Sequence, residues 1–152
     1  MDWAFLGQFG LALAFGLGAL GSALGISAAG RAAAGAWAKE AKAGMALRFN
    51  YIIFVGAPIS QTFYAMIVMN KMAGFLSHAS TSAGLMFSIG LATGLGEMFS
   101  AWGQGLIGAA ACRCLSEGEG KGLAFLLIAI GIIETVGIFT FVFMLILTGS
   151  IS

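Results

Sequence analysis

The sequence is short of charge, of proline and of cysteine. Charged residues make up 9% of the 152-residue chain, against about 25% in an ordinary soluble domain. A chain of this length is too short to hide its 60% of hydrophobic residues from water in a core of its own. Its net charge of +1 gives no basic surface for nucleic acid, and the pair Cys112 and Cys114 gives no disulfide framework. Lipid is therefore the predicted solvent for much of the molecule.

Charged residues divide the sequence into four long apolar segments. They run from Phe5 to Gly30, Tyr51 to Val68, Ala83 to Ala111 and Leu123 to Leu147. Each is near or above the roughly 20 residues that a helix needs to cross a bilayer, and none alternates as a barrel strand does. The acidic start lacks the basic region of a signal peptide, so we expect the first segment to be retained. The prediction is an all-α membrane protein with four transmembrane helices.

Basic residues predict the orientation of these helices. The connections at residues 35–50 and 113–121 together carry five basic residues, whereas the connection at residues 71–82 carries only Lys71. Lysine and arginine favour the cytoplasmic side of a membrane. We therefore expect the two basic loops in the cytoplasm and both chain termini outside.

The sequence is also duplicated. At an offset of 73 residues, Ser27–Ala36 aligns with Ser100–Ala109, and the same offset aligns ISQT in the second helix with IIET in the fourth. The second match, in the partner helix, makes the repeat convincing. We therefore predict two tandem helical hairpins, at residues 1–76 and 77–152. The first and third helices are rich in glycine and the other two are bulkier, which predicts a crowded inner layer and a bulky outer one.

Glu134 is the only charged residue of the fourth segment and lies near its middle. A charge at that depth costs about 3 kcal/mol or more, so such residues rarely lack a function. The alternative is a protonated carboxyl that only stabilises helix packing through its hydrogen bonds. We favour a functional role.

Hairpin geometry predicts which polar residues lie at the depth of Glu134. Gln104 and Glu134 are equally far from the centre of the loop between them, and Gln61 is the repeat equivalent of Glu134. Ser60 and Tyr64 are four residues apart, so they share a helix face beside Gln61.

Pro58, one turn before Ser60, adds a backbone oxygen to this level, since proline cannot donate the hydrogen bond that would occupy an upstream carbonyl. The predicted level thus collects a carboxylate, two amide oxygens, two hydroxyl groups and a carbonyl. A hard cation binds several oxygen ligands, whereas a proton needs only the carboxyl and an acceptor or two. The inventory favours Na⁺, with H⁺ as the alternative.

The motifs PISQTFY, GQG and IETVG and the doubled hairpin resemble the proteolipid (K or c) subunit of V-type rotary ATPases, in particular the bacterial sodium-translocating kind. The resemblance covers the whole chain. It implies a non-catalytic subunit of the cell membrane that forms a homo-oligomeric ring in lipid and turns against a stator (a/I-type) membrane subunit. A central-stalk subunit would bind the cytoplasmic loops.

The resemblance also implies residue roles. Each subunit would carry one Na⁺, or alternatively one H⁺, on Glu134 during rotation. Tyr64 would hydrogen-bond the carboxylate. The ion ligands would be Glu134, Gln61, Ser60, Gln104 and, through its carbonyl, Ala57.

Two charged residues are not explained by the resemblance. Glu97 lies two turns from Gln104, about 10 Å along the helix, where it could be protonated, face a cavity or pair with a base. Arg31 is the repeat equivalent of Gln104 and would compete with the cation if it faced Glu134. We therefore expect Arg31 to face Glu97 or the ring lumen, and we expect structural roles for both residues. A small four-helix exporter remains a remote alternative, but its aromatic-lined cavity is not indicated by three scattered tryptophans.

Overall fold

The structure, a computed structural model, describes residues 3–152 and contains four long helical segments. Met1 and Asp2, the acidic start of the chain, lie outside the described residues. The segments are α1 (Ala4–Lys42), α2 (Tyr51–Gly56) continued by α3 (Ser60–Ala73), α4 (Ala83–Glu117) and α5 (Leu123–Leu147). A 3₁₀ turn at Ala57–Ile59 joins α2 to α3, and further 3₁₀ turns lie at Leu76–His78 and Thr148–Ser150. The predicted all-α fold with four helices is confirmed.

Three segments in the described part of the chain are long and apolar enough to cross a membrane: Ala4–Lys42, Tyr51–Ala73 and Leu123–Ser150. α4, at 35 residues, exceeds the roughly 20 residues of a membrane span but carries Glu97 and Gln104 among its buried residues. α5 exposes large apolar side chains along its length, such as Phe125, which is 78% exposed. A surface of this kind is typical of a helix that faces lipid.

The predicted loops at residues 35–50 and 113–121 are wrong in extent, because both preceding helices continue into them. α1 ends only at Lys42 and α4 only at Glu117. Alanine, lysine and glutamate are good helix formers, so the first charges after an apolar run mark the end of the lipid-facing part and not the end of the helix. The chain turns out of the α1 helix at Gly44, which has a φ of 66°, and α5 begins after Gly122, which has a φ of 89°.

α1 and α4 lie side by side and run in the same direction. A side chain at Gly90 would collide with the backbone of Gly10, and one at Gly105 with the backbone of Gly25. Small residues thus let the two backbones touch, as the glycine content predicted. A Cβ added to Gly108 would lie 3.3 Å from the Cβ of Ala29, so α1 and α4 are close together here as well.

The second helical segment changes its winding around Pro58. This residue is buried in the 3₁₀ turn, and its carbonyl accepts a 2.6 Å hydrogen bond from the Ser22 hydroxyl of α1. Thr62 donates in turn to Ser22, at 2.7 Å. α1 therefore holds the turn in place on one side, while Ser60 and Gln61 contact α5 and α4 on the other.

Candidate functional site

A cluster of oxygen atoms surrounds the hydroxyl of Ser60 at the start of α3. The Ser60 Oγ lies 2.8 Å from Gln61 Oε1, 3.0 Å from the Ala57 carbonyl oxygen and 3.2 Å from Glu134 Oε1. The Ala57 carbonyl comes from the 3₁₀ turn and Glu134 from the middle of α5. Four of the residues expected at one level are therefore in contact: Ala57, Ser60, Gln61 and Glu134.

The orientation of the Gln61 amide follows from a chain of hydrogen bonds. The Ser100 hydroxyl donates to the Ile133 carbonyl at 3.1 Å, so the Ser100 oxygen is free to accept. Gln61 Nε2 donates to it at 3.3 Å, which turns Gln61 Oε1 toward Ser60. The sequence reasoning missed Ser100. The available signal was its position one turn before Gln104, on the same face of the helix.

Tyr64 and Gln104 border this cluster. The Tyr64 ring stacks on Phe141 of α5 at 5.1 Å between centroids, and its hydroxyl interacts with the Glu134 carboxylate. Gln104 is fully buried, but neither its amide nitrogen nor its amide oxygen has a hydrogen-bond partner. Gln104 is thus at the predicted level without touching the oxygen cluster.

Glu97 is also fully buried in the middle of the molecule. Neither carboxyl oxygen has a hydrogen-bond partner, and within residues 3–152 it forms no salt bridge. Arg31 is exposed, so the structure excludes a contact with Glu97, one of the two placements expected for it, and the ring lumen stays a prediction. The packing of α1 on α4 explains this, because Gly25 meets Gly105 and Arg31 lies more than a turn beyond the level of Gln104.

Gly137 of α5 opens the space in which these polar groups meet. A Cβ at this position would lie 2.8 Å from Glu97 Oε2, 2.9 Å from Gln61 Nε2 and 3.0 Å from Ser100 Oγ. The three groups therefore converge on the backbone of α5 one turn after Glu134. Any side chain larger than hydrogen would displace at least one of them.

The fold and the site define a multi-pass membrane protein with a half-buried glutamate among oxygen atoms. A family model of the C subunit of ATP synthase matches residues 9–70 and again residues 87–147, one match in each half of the chain. The chain therefore belongs to the family of ATP synthase C subunits, in duplicated form. A search of curated proteins found no match.

Membership of this family confirms the general function expected from the sequence. The protein is a non-catalytic membrane subunit of the rotor ring of a rotary ATPase. Members of this family form rings and carry a translocated cation on a buried glutamate. The chain has two glutamates in the interior of its helices, Glu97 and Glu134, and their surroundings differ.

Proposed function

We propose that this chain is the proteolipid (K or c) subunit of a V-type rotary ATPase and that it carries one Na⁺ per subunit on Glu134. The ligands would be the Glu134 carboxylate, the Ser60 hydroxyl, the Gln61 amide oxygen and the Ala57 carbonyl. Gln104, buried nearby with an unpaired amide, would complete the shell when the ion is bound.

The observation that carries the proposal is the excess of acceptors around Ser60. Its hydroxyl has one proton to donate, yet three acceptor oxygens lie within 3.2 Å of it. If Glu134 were protonated it could donate to Ser60, and Ser60 could donate to either Ala57 or Gln61. The Ser60 oxygen would then still contact the other of these two acceptors with no proton between the two oxygens. A cation at the centre would satisfy all of these oxygens together, which supports Na⁺ over H⁺.

Glu134 fits the role of carrier better than Glu97 does. A carrier must reach both the lipid-facing surface and the stator, and Glu134 is partly exposed on α5, the helix with the exposed apolar surface. Glu97 is sealed between helices and fully buried. A bound cation would also neutralise Glu134 while it passes through lipid, where a bare carboxylate costs several kcal/mol.

The duplication supports the V-type assignment. Gln61 of the first hairpin contributes to the site of Glu134 and does not carry a charge of its own. One ion would therefore serve four helices, and fewer ions per revolution mean a larger driving force per ion, which suits ATP-driven pumping. Counting the ions bound to a purified ring should give one per chain, and two would refute the assignment of a single carrier.

The proposed assembly follows from the same assignment. Copies of the chain would close into a ring in the cell membrane, with a stator a/I-type subunit at its rim. The ends of the hairpins near residues 43–50 and 118–122 would face the cytoplasm and a central-stalk subunit. The chain termini would lie on the opposite side.

Carbodiimide labelling of the purified ring tests the choice of ion. Carbodiimides attack only a protonated carboxyl, so Na⁺ that keeps Glu134 ionised should protect it, and higher Na⁺ should be needed as the pH falls. The labelled residue is identified by mass spectrometry of the modified peptide. Gln61→Leu removes a ligand and should raise the Na⁺ concentration needed for protection, without preventing labelling.

The same experiment can reject sodium. If labelling of Glu134 is indifferent to Na⁺ at every pH, Glu134 carries H⁺ and the surrounding oxygens only hydrogen-bond its acid form. That result would refute sodium as the carried ion and would leave the assignment as a rotor subunit unchanged.

A further inference from the structure

The amide of Gln61 lies between two carboxyl groups. Its oxygen faces Ser60 and Glu134, at 2.8 Å from the Ser60 hydroxyl. Its nitrogen faces the other way, toward Ser100 and Glu97, and both Nε2 and Glu97 Oε2 lie within 3 Å of the Cβ position of Gly137. Gln61 is therefore the one group that links the oxygen cluster to Glu97.

A primary amide has two N–H groups, and each needs an acceptor when buried. Ser100 accepts one of them, at 3.3 Å. Glu97 offers a nearby acceptor for the other, because both of its oxygens are buried and unpaired. The Gln61 nitrogen and Glu97 Oε2 lie beside the same point on α5, each within 3 Å of the Cβ position of Gly137.

We propose that Glu97 is a positioning residue of the ion site, whose carboxyl oxygen accepts the second N–H of Gln61 and so holds Gln61 Oε1 toward the ion. This proposal rests on the ion-carrying role of Glu134. It gives Glu97 no ion of its own, because Glu97 is fully buried between helices, whereas Glu134 is partly exposed on α5, where an ion could be exchanged.

The geometry explains why a second glutamate is tolerated inside the helices. Without an acceptor at Glu97, the Gln61 amide could rotate and place a donor N–H toward Ser60 and the cation. A donor at that position would repel a cation. Acceptors at both Ser100 and Glu97 favour the orientation in which the amide nitrogen faces them, and this leaves the oxygens around Ser60 free for the cation.

Glu97→Met and Glu97→Gln separate positioning from packing. Methionine keeps the length of the side chain and removes the acceptor, whereas glutamine keeps an acceptor oxygen. We expect Met to raise the Na⁺ concentration that half-protects Glu134 from carbodiimide by roughly tenfold, and Gln to keep it within about threefold of the parent. Thr93→Val, which removes another buried unpaired hydroxyl one turn away, is the matched control and should change nothing.

A double-mutant cycle with Gln61→Leu decides whether Glu97 acts through Gln61. In that background Glu97→Met should cause no further loss of Na⁺ protection, because the amide it orients is gone. Additive losses would overturn the proposal, and so would a Gln variant as weak as the Met variant. If rings with Glu97→Met do not assemble, Glu97→Leu takes its place, since leucine also removes the acceptor and leaves Gln61 and Ser100 untouched.

The same double-mutant cycle is also measured in the absence of sodium, with the rate of carbodiimide labelling of Glu134 as the readout. Coupling between Glu97 and Gln61 in that rate supports the positioning role even if Na⁺ proves to have no effect on the parent ring. In that case the sodium proposal fails alone. Absence of coupling in both measurements overturns the positioning role, whatever the ion.

Discussion

Two carboxylates of this protein, Glu40 and Glu134, have opposite surroundings. Glu40, near the end of α1, is buried among donors: the Arg48 backbone N–H at 3.0 Å, the Arg48 guanidinium at 2.6 Å and the Tyr51 hydroxyl. Glu134, in the middle of α5, accepts a 3.2 Å hydrogen bond from the Ser60 hydroxyl, and that hydroxyl is itself surrounded by acceptors.

The difference teaches how a static carboxylate differs from a carrier. The charge of Glu40 is balanced by the protein, so nothing from outside is needed. Trp37 closes the arrangement by donating to the Arg48 carbonyl at 2.8 Å. Around Glu134 the described residues supply oxygens and no ion-pair partner, so on our proposal the balancing charge comes from a mobile cation. Glutamate would thus be a fixed ion-pair partner at position 40 and the ion carrier at position 134.

The largest expected effect comes from removing the carrier. Glu134→Gln should abolish ion-coupled ATPase turnover while the subunit still inserts and assembles, because an amide cannot alternate between charged and neutral forms. Rings of this variant should run at the parent size on detergent gels. Coupled transport at the parent rate would place the carrier elsewhere, with Glu97 the first candidate.

A smaller effect is expected from removing one oxygen of the cluster. Ser60→Ala deletes the hydroxyl that touches Glu134, Gln61 and Ala57, and should weaken Na⁺ binding by roughly tenfold. Ser60→Thr keeps the hydroxyl and should stay close to the parent. Sodium-dependent protection from carbodiimide measures both. Equal values for the alanine and threonine variants would mean that the hydroxyl is not a ligand.

The smallest effect on the ion is expected at Glu40. Glu40→Gln leaves the Arg48 guanidinium without its counter-charge and should lower the temperature at which the ring dissociates. Sodium protection of Glu134 should not change, because the two carboxylates are in different parts of the molecule. A shift in sodium affinity comparable to that of Ser60→Ala would show that Glu40 is not separate from the ion site of Glu134.

Much of the site could be predicted because helices in lipid are regular. Depth in a hairpin follows from residue number, and together with the repeat offset it put Gln61, Ser60 and Glu134 at one level, where their side chains do touch. Residue number does not show how each helix is rotated about its own axis, and so does not show which side chains point at one another. Gln104 is accordingly at the right depth with its amide unpaired, and Ser100 makes the contact with Gln61 that sequence spacing did not indicate.

Two other predictions failed for identifiable reasons. The first charges after each apolar run predict ends for α1 and α4 that are too early, because hydropathy reports where lipid ends, and the helices continue to Lys42 and Glu117. The repeat offset predicts a place for Arg31 on the assumption that both hairpins pack in the same register. The glycine contacts between α1 and α4 set a different register, so Arg31 is exposed and away from Glu97.

The contact of glycine backbones between α1 and α4 has a mechanical consequence. An ordinary helix interface has a layer of side chains that can change rotamer and let the helices slide past each other. Where Gly10 meets Gly90 and Gly25 meets Gly105, no such layer exists. Torque applied to one of these helices therefore reaches the other without slip.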